Sequence, residues 1–280
     1  MTNETHAIAG GGCHIMSGCG FHAPSYPFSF SYNPIFSVGS FHFTKPMLLA
    51  IISAGIVIGF FWAAFAKPKI VPSGSTHLLG RIRDVVQNLA ELGVFFIRDQ
   101  ILRPMMGKRG DGYLPFLVSL FFFVWVMNLM EIIPVAQFPV TSRIAYPASL
   151  MLMVYITYTV VGIKHQGLGG YFKSMVPPGA PVGILFILAP LEVLQYVLIR
   201  PFTLAVRLFG NMFAGHILIL VFTLASWYLF SLSIDLLFSA TTFLMVIVLT
   251  AFEMFIQGLQ AFIFTILTAQ YIGGSLETAH

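Results

Sequence analysis

The stretch LAVRLFGNMFAGH, Leu204 to His216, sets a guanidinium, a carboxamide and an imidazole into an otherwise apolar run. Arg207, Asn211 and His216 supply them, and a second apolar run near the C-terminus carries Glu253, Gln257 and Gln260. Arginine keeps its proton at every accessible pH, because its pKa lies above ~12. A fixed cation at the centre of a membrane helix costs roughly 2.5–3.5 kcal/mol even on lenient insertion scales. Polar and ionisable groups at such depth normally line a cavity or a proton path.

Their spacing is helical. Arg200, Thr203, Arg207, Asn211 and Ala214 recur at three- and four-residue steps and share one helix face, as do Glu253, Gln257 and Gln260. If the two runs form an antiparallel hairpin, residues at equal depth have a constant index sum. His216 with Glu253 gives 469, Asn211 with Gln257 gives 468 and Arg207 with Gln260 gives 467. These agree within two residues, about 3 Å of rise. The implied turn is at residue 234, inside SLSID (Ser231 to Asp235), the one polar break between the runs. Arg207 then lies about 13–14 Å inward of His216, and Glu192 roughly 22 Å to the other side of Arg207. Titratable groups flank a fixed cation near mid-membrane.

Several of these residues carry two readings. His216 with Glu253 is either a working acid–imidazole pair or a buried structural one. Glu192 is either part of a proton path or a solvated interfacial acid. Arg200 either snorkels or pairs with Glu192, eight residues earlier. Asn128 and Glu131, closing the second apolar span, are either path residues or an interfacial cap. Arg207 has no acid at helix spacing on its own helix, since positions 203, 204, 210 and 211 are Thr, Leu, Gly and Asn. Its counter-charge must come from elsewhere. Near the N-terminus, CHIMSGCGFH has five residues between Cys13 and Cys19, outside the usual C-x2–4-C zinc spacing. Free thiols or a facultative disulfide fit better than a metal, and no cofactor is expected.

The elements that must position these groups are membrane helices. Of 280 residues, 58% are hydrophobic and 9% charged, against about 25% charged in a soluble domain. Strands alternating apolar-out and polar-in are missing, which disfavours an outer-membrane barrel. Residues 1–45 read as an irregular outer segment without the basic n-region and apolar core of a signal peptide. Residues 46–276 read as a single helical membrane domain. Pro46 to Ala66 is the first span, Tyr113 to Pro134 the second and Ile144 to Ile163 the third. Between the first two, Ser75 to Met105 has Leu79, Ile82, Val86, Leu89, Leu92 and Phe95 at helical spacing among charges, an amphipathic helix on a membrane face or against partner subunits. After the polar link KHQGLGGYFKSMVPPGAP, tracts from Val182 to Phe230 and Leu236 to Ile272 are each about twice one perpendicular crossing. With only Pro190, Pro201 and Gly210 as breaks, each reads as one long, tilted helix. The fold expected is all-α: five transmembrane helices and one amphipathic surface helix, the last two spans long and antiparallel.

Ten of fourteen Lys and Arg fall in two connections: Lys67, Lys69, Arg81, Arg83, Arg98, Arg103, Lys108 and Arg109 after the first span, Lys164 and Lys173 after the third. That asymmetry is a topology signal and not a nucleic-acid surface; it sets the N-terminus outside and the C-terminus in the cytoplasm.

At these residues the chain resembles subunit a of the F-type rotary ATP synthase. The signature is RPFTLAVRLFGNMFAGH, followed by LQAFIFTILTAQYI, with WVMNLMEIIP and GIKHQGLGGYFK as further motifs, over about residues 45 to 275. The resemblance implies a proton-translocating stator subunit, not an enzyme on its own, in a bacterial plasma membrane (alternatively the mitochondrial inner membrane). Its partners would be the c-ring, b-type subunits of the peripheral stalk, protons and the lipid bilayer. Arg207 would face the c-ring between two half-channels, meeting each ionised c-ring carboxylate and blocking leakage. Asn211, His216 and Glu253 would line the outer half-channel, with Asn128 and Glu131 near its entrance. Gln260 would flank Arg207 and Glu192 would lie by the inner half-channel. Gln257 joins this path by its place on the face of Glu253 and Gln260. Many bacterial members have Glu and His exchanged relative to His216 and Glu253; the exchange keeps one acid and one imidazole together. Many members also open the third span with an Asp-Leu-Asn-like stretch, where this chain reads SRIAYPASL and leaves Ser149 as its polar candidate. A secondary transporter or channel with a buried Arg–carboxylate switch is the competing class; it commonly has internal repeats, which the sequence lacks. A haem-binding electron carrier would need paired intramembrane histidines.

Overall fold

A computed structural model describes residues 36–38, 41–66, 78–133, 139–174, 182–230 and 235–276. Two short strands, β1 (Phe36–Val38) and β2 (Phe41–Phe43), pair antiparallel with Phe36 opposite Phe43. In this ladder the apolar Phe36, Val38, Phe41 and Phe43 alternate with Ser37 and His42, the period of two that a strand requires. Cys13, Cys19 and their neighbouring histidines lie outside the described residues, as do Lys67, Lys69 and Ser231 to Ile234.

The rest is helical. α1 (Lys45–Phe65) opens with Pro46, tolerated in a first turn whose N–H has no partner anyway. α2 (Leu78–Ile97) packs on α1 and passes through a π turn (Arg98–Leu102), the short α3 (Arg103–Met106) and a 3-10 stretch (Gly107–Tyr113) into α4 (Leu114–Leu129). The amphipathic helix is therefore joined to the second span in a helical run from Ile82 to Leu129. Its stripe faces outward, with Ile82, Leu89, Leu92 and Phe95 each at least half exposed, while Gln87 and Ala90 are buried. A buried 3-10 turn (Val140–Ser142) then packs against the helix that carries Arg207.

α5 (Ala145–Ser174) overruns the expected third span by eleven residues, so more than half of the supposed polar link is helix. Gly167 interrupts it at φ 72°, a conformation open to glycine and strained for other residues. α6 (Val182–Leu194), a second π turn (Gln195–Ile199) and α7 (Arg200–Tyr228) form the fourth long element, and α8 (Asp235–Leu276) the fifth. Among the described residues five helical runs are long and apolar enough to cross a membrane, the last two with 41 residues each. At 1.5 Å per residue, about 61 Å of helix exceeds a ~30 Å hydrocarbon layer twofold.

Both π turns have one sequence cause. Each ends at an Arg-Pro pair, Arg103-Pro104 and Arg200-Pro201. Proline lacks an N–H and its ring clashes with the carbonyl four residues back. Widening the preceding turn relieves the clash: Arg200 N–H donates to Gln195 O, five residues back, instead of four.

The core lies where α4, α7 and α8 meet, around Leu117, Val124, Met127, Leu204, Leu208, Ala261 and Phe264. α8 touches α3, α4, α5 and α7, with α7 its largest neighbour. Its last turns come close enough to α3 that a side chain on Gly273 would meet Met105 O at 2.7 Å. Elsewhere Ile58, Trp62, Leu237, Leu244 and Phe255 project outward, the surface a lipid solvent accepts.

Candidate functional site

α7 and α8 form the antiparallel pair that the spacing predicts. Ser226 and Ser239 exchange hydrogen bonds at one end, Ser226 Oγ donating to Ser239 O (3.2 Å) and Ser239 Oγ to Ser226 O (2.7 Å). Deeper, Asn211 Nδ2 donates to Gln260 Oε1 at 2.8 Å. The index sums of these pairs are 465 and 471, bracketing the expected 467 to 469.

Individual pairings differ from expectation. Gln260 partners Asn211, whereas the depth argument set it level with Arg207. Gln257 Nε2 donates instead to Glu131 Oε2 at 2.9 Å, and His216 Nδ1 lies 3.1 Å from Glu131 Oε1. Side-chain direction explains the shift between Asn211 and Gln260. Helical side chains lean toward their own N-terminus, so on antiparallel helices they lean toward each other. Long side chains therefore meet a residue displaced by about a turn from the one at equal Cα depth.

Glu131, just beyond α4, thus joins α7 to α8: one carboxyl oxygen meets His216 and the other Gln257. Glu253 lies against Gly215 in the layer above, where any Cβ on residue 215 would run into its carboxyl group. One helical turn inward on α4, Asn128 Oδ1 accepts from Thr141 Oγ1 at 2.6 Å, both residues wholly buried. Thr141 escaped the sequence reading because nothing local marks a loop residue that folds back into a bundle.

Four buried polar atoms on these residues have no hydrogen-bond partner among the described residues: Asn128 Nδ2, Glu253 Oε1, Gln257 Oε1 and Gln260 Nε2. Unpaired buried polar atoms are costly, and clustered ones are satisfied by ordered water. The cluster runs from His216, Glu131, Glu253 and Gln257 to Gln260 and Asn211, and Asn211 is one turn from Arg207.

Arg207 is exposed on the outer surface of α7, on one face with Thr203, Asn211 and Ala214. Among the described residues no carboxylate lies within ion-pair distance of it. Arg200, half-buried, stacks on Tyr196 with Cζ 3.7 Å from the ring centre, and is not ion-paired with Glu192. Glu192 is half-buried on α6. In an unbroken α-helix, eight residues would leave Glu192 about 80° out of phase with Arg200. The π turn absorbs one extra residue and cuts that to about 20°, which aligns Glu192 with Arg200 and leaves it about 40° from Arg207. Ser149 is exposed on α5, and its hydroxyl donates to Tyr146 O at 2.8 Å, outside the cluster. No group of three or more metal-ligating side chains occurs among the described residues.

Fold and site define a polytopic α-helical membrane protein with a file of buried polar groups beside a cation at its surface. Residues 47–273 match the family model described as ATP synthase A chain. The chain is 48% identical over 272 residues to ATP synthase subunit a of Streptomyces lividans, covering 96% of this chain and 92% of the relative. It is 45% identical over 237 residues to the Frankia alni subunit a (84% and 78%) and 35% over 235 to that of Rhodospirillum rubrum (84% and 89%). The chain belongs to the ATP synthase A chain family. It is a bacterial membrane protein and a component of the ATP synthase membrane sector in ATP synthesis and proton transport, without enzymatic activity of its own.

Proposed function

We propose that this subunit conducts protons through two offset half-channels that meet the c-ring at Arg207. The outer half-channel runs past Glu131, His216, Glu253, Gln257, Asn128, Gln260 and Asn211; the inner one opens past Glu192. The N-terminus lies outside and the C-terminus in the cytoplasm, and b-type stalk subunits hold the chain against rotation. Residues 46–276 act as one membrane domain, and Ser149 sits beside the outer entrance.

The observation that carries this reading is the contrast between Arg207 and its neighbours. Glu131, Glu253, Gln257 and Gln260 are buried and bonded or clustered with one another, while Arg207 faces outward beside Thr203 and Asn211 with no acid within ion-pair distance among the described residues. A cation so situated awaits a carboxylate on another protein. At about 4 Å and an effective dielectric of 20 the attraction is about 4 kcal/mol, enough to lower a visiting carboxylate's pKa by roughly 1–3 units and expel its proton. Lysine could surrender its own proton in that position; arginine cannot.

Arg207→Ala and Arg207→Lys in the assembled complex provide the test. Assembly should persist while proton-driven ATP synthesis disappears. Near-normal synthesis in either variant would sink the assignment.

A further inference from the structure

Arg200 is a second guanidinium on the face that carries Arg207, seven residues away, about 10 Å along the helix and about 20° in phase. It is held differently. Its Cζ lies 3.7 Å from the ring centre of Tyr196 and 5.6 Å from that of Tyr271. The Tyr271 ring packs on Tyr158 at 5.7 Å, and Tyr158 meets Tyr155 edge-on at 5.3 Å. Arg200 and Tyr271 have an index sum of 471, the register of Asn211 and Gln260.

The backbone fixes this cage. In the π turn, the main-chain donor five residues beyond Tyr196 O would be Pro201, which has no N–H. Tyr158, 2% exposed, supplies the missing donor, its hydroxyl reaching Tyr196 O at 3.2 Å. The same bond anchors the backbone of the ring on which Arg200 rests.

We infer that Tyr196 and Tyr271, backed by Tyr158, are positioning residues that withdraw Arg200 from the face of Arg207. They thereby keep it from competing for the carboxylate that Arg207 receives. The inference rests on the proposed role of Arg207. An arginine two turns away on the same face, once free, could hold a passing carboxylate where no half-channel serves it and stall the cycle. Cation–π contact favours the withdrawn position by roughly 2- to 30-fold.

The test uses membranes carrying the whole ATP synthase, with synthesis and ATP-driven proton pumping normalised to assembled complex. Tyr271→Phe keeps the aromatic face and should stay within about twofold of wild type. Tyr271→Leu and Tyr196→Leu should slow both activities, roughly 2- to 30-fold. Adding Arg200→Gln to either Leu variant should restore them, and Arg200→Gln alone should be close to wild type. Unimpaired Leu variants, Leu variants not rescued by Arg200→Gln, or Leu variants that fail to assemble with or without it would overturn the inference. So would loss of synthesis in Arg200→Gln alone. Arg207→Ala in the same membranes separates the two ideas: if synthesis survives it, the proposed function falls, whereas a failure confined to the tyrosine series removes only the cage.

Discussion

Gly215→Ala should impair proton conduction although it improves a helix. Alanine is the better helix former by about 1 kcal/mol, and a purely local view predicts a gain. The Cβ would land on Glu253, inside contact distance of both its carboxyl oxygens. The helices cannot simply separate, since Ser226–Ser239 and Asn211–Gln260 bonds tie α7 to α8 on either side. The carboxylate must move. Overpacking of this kind costs about 1–3 kcal/mol, which at 1.36 kcal/mol per decade lowers occupancy of the present Glu253 position by roughly 5- to 150-fold. ATP-driven acidification of inverted vesicles, normalised to assembled complex, measures the effect. The rate should fall at least about fivefold. Glu253→Asp shortens the side chain by one methylene and should recover part of the rate in the Gly215→Ala background. A wild-type rate in Gly215→Ala, or a double variant no better than the single, would refute the reasoning.

Two further variants probe how the site is held. Thr141→Val keeps the shape and removes the donor to the buried Asn128, leaving that amide oxygen unpaired at a cost of about 1–3 kcal/mol. The midpoint of thermal aggregation of the purified complex should drop, and adding Asn128→Leu should recover it, because removing both partners is nearly neutral. Pro201→Ala restores a main-chain donor and favours an ordinary α turn over the π turn. Glu192 then swings by about 100°, from roughly 40° on one side of Arg207 to roughly 60° on the other, and ATP synthesis should decline; deleting Leu198 in that background should return Glu192 to its original side and restore part of it. No recovery would mean that the phase of Glu192 is immaterial.

The sequence by itself determined the solvent, the number of long apolar helices and the antiparallel register of the last two. Each follows from rules with a fixed period: unbroken apolar runs, three- and four-residue steps, and a constant index sum, which the observed hydrogen-bonded pairs bracket although the individual partners differ. It also marked Glu131, Asn128, His216, Glu253, Gln257 and Gln260 as worth bonding, since polar groups in apolar runs need partners. Which partner each takes was decided only in three dimensions. Glu131 collects His216 and Gln257 because α4 ends at their level and the chain just beyond it places the carboxylate between α7 and α8. Thr141 reaches Asn128 because a connecting turn folds into the bundle, a long-range contact with no local signal. The π turn follows from Arg-Pro once seen, yet its consequence, Glu192 in line with Arg200 and Arg200 laid on two tyrosines, depends on helix phase and on a ring from α8. Periodicity fixes faces; contacts between faces depend on side-chain direction and on elements distant in sequence, which the tertiary structure alone brings together.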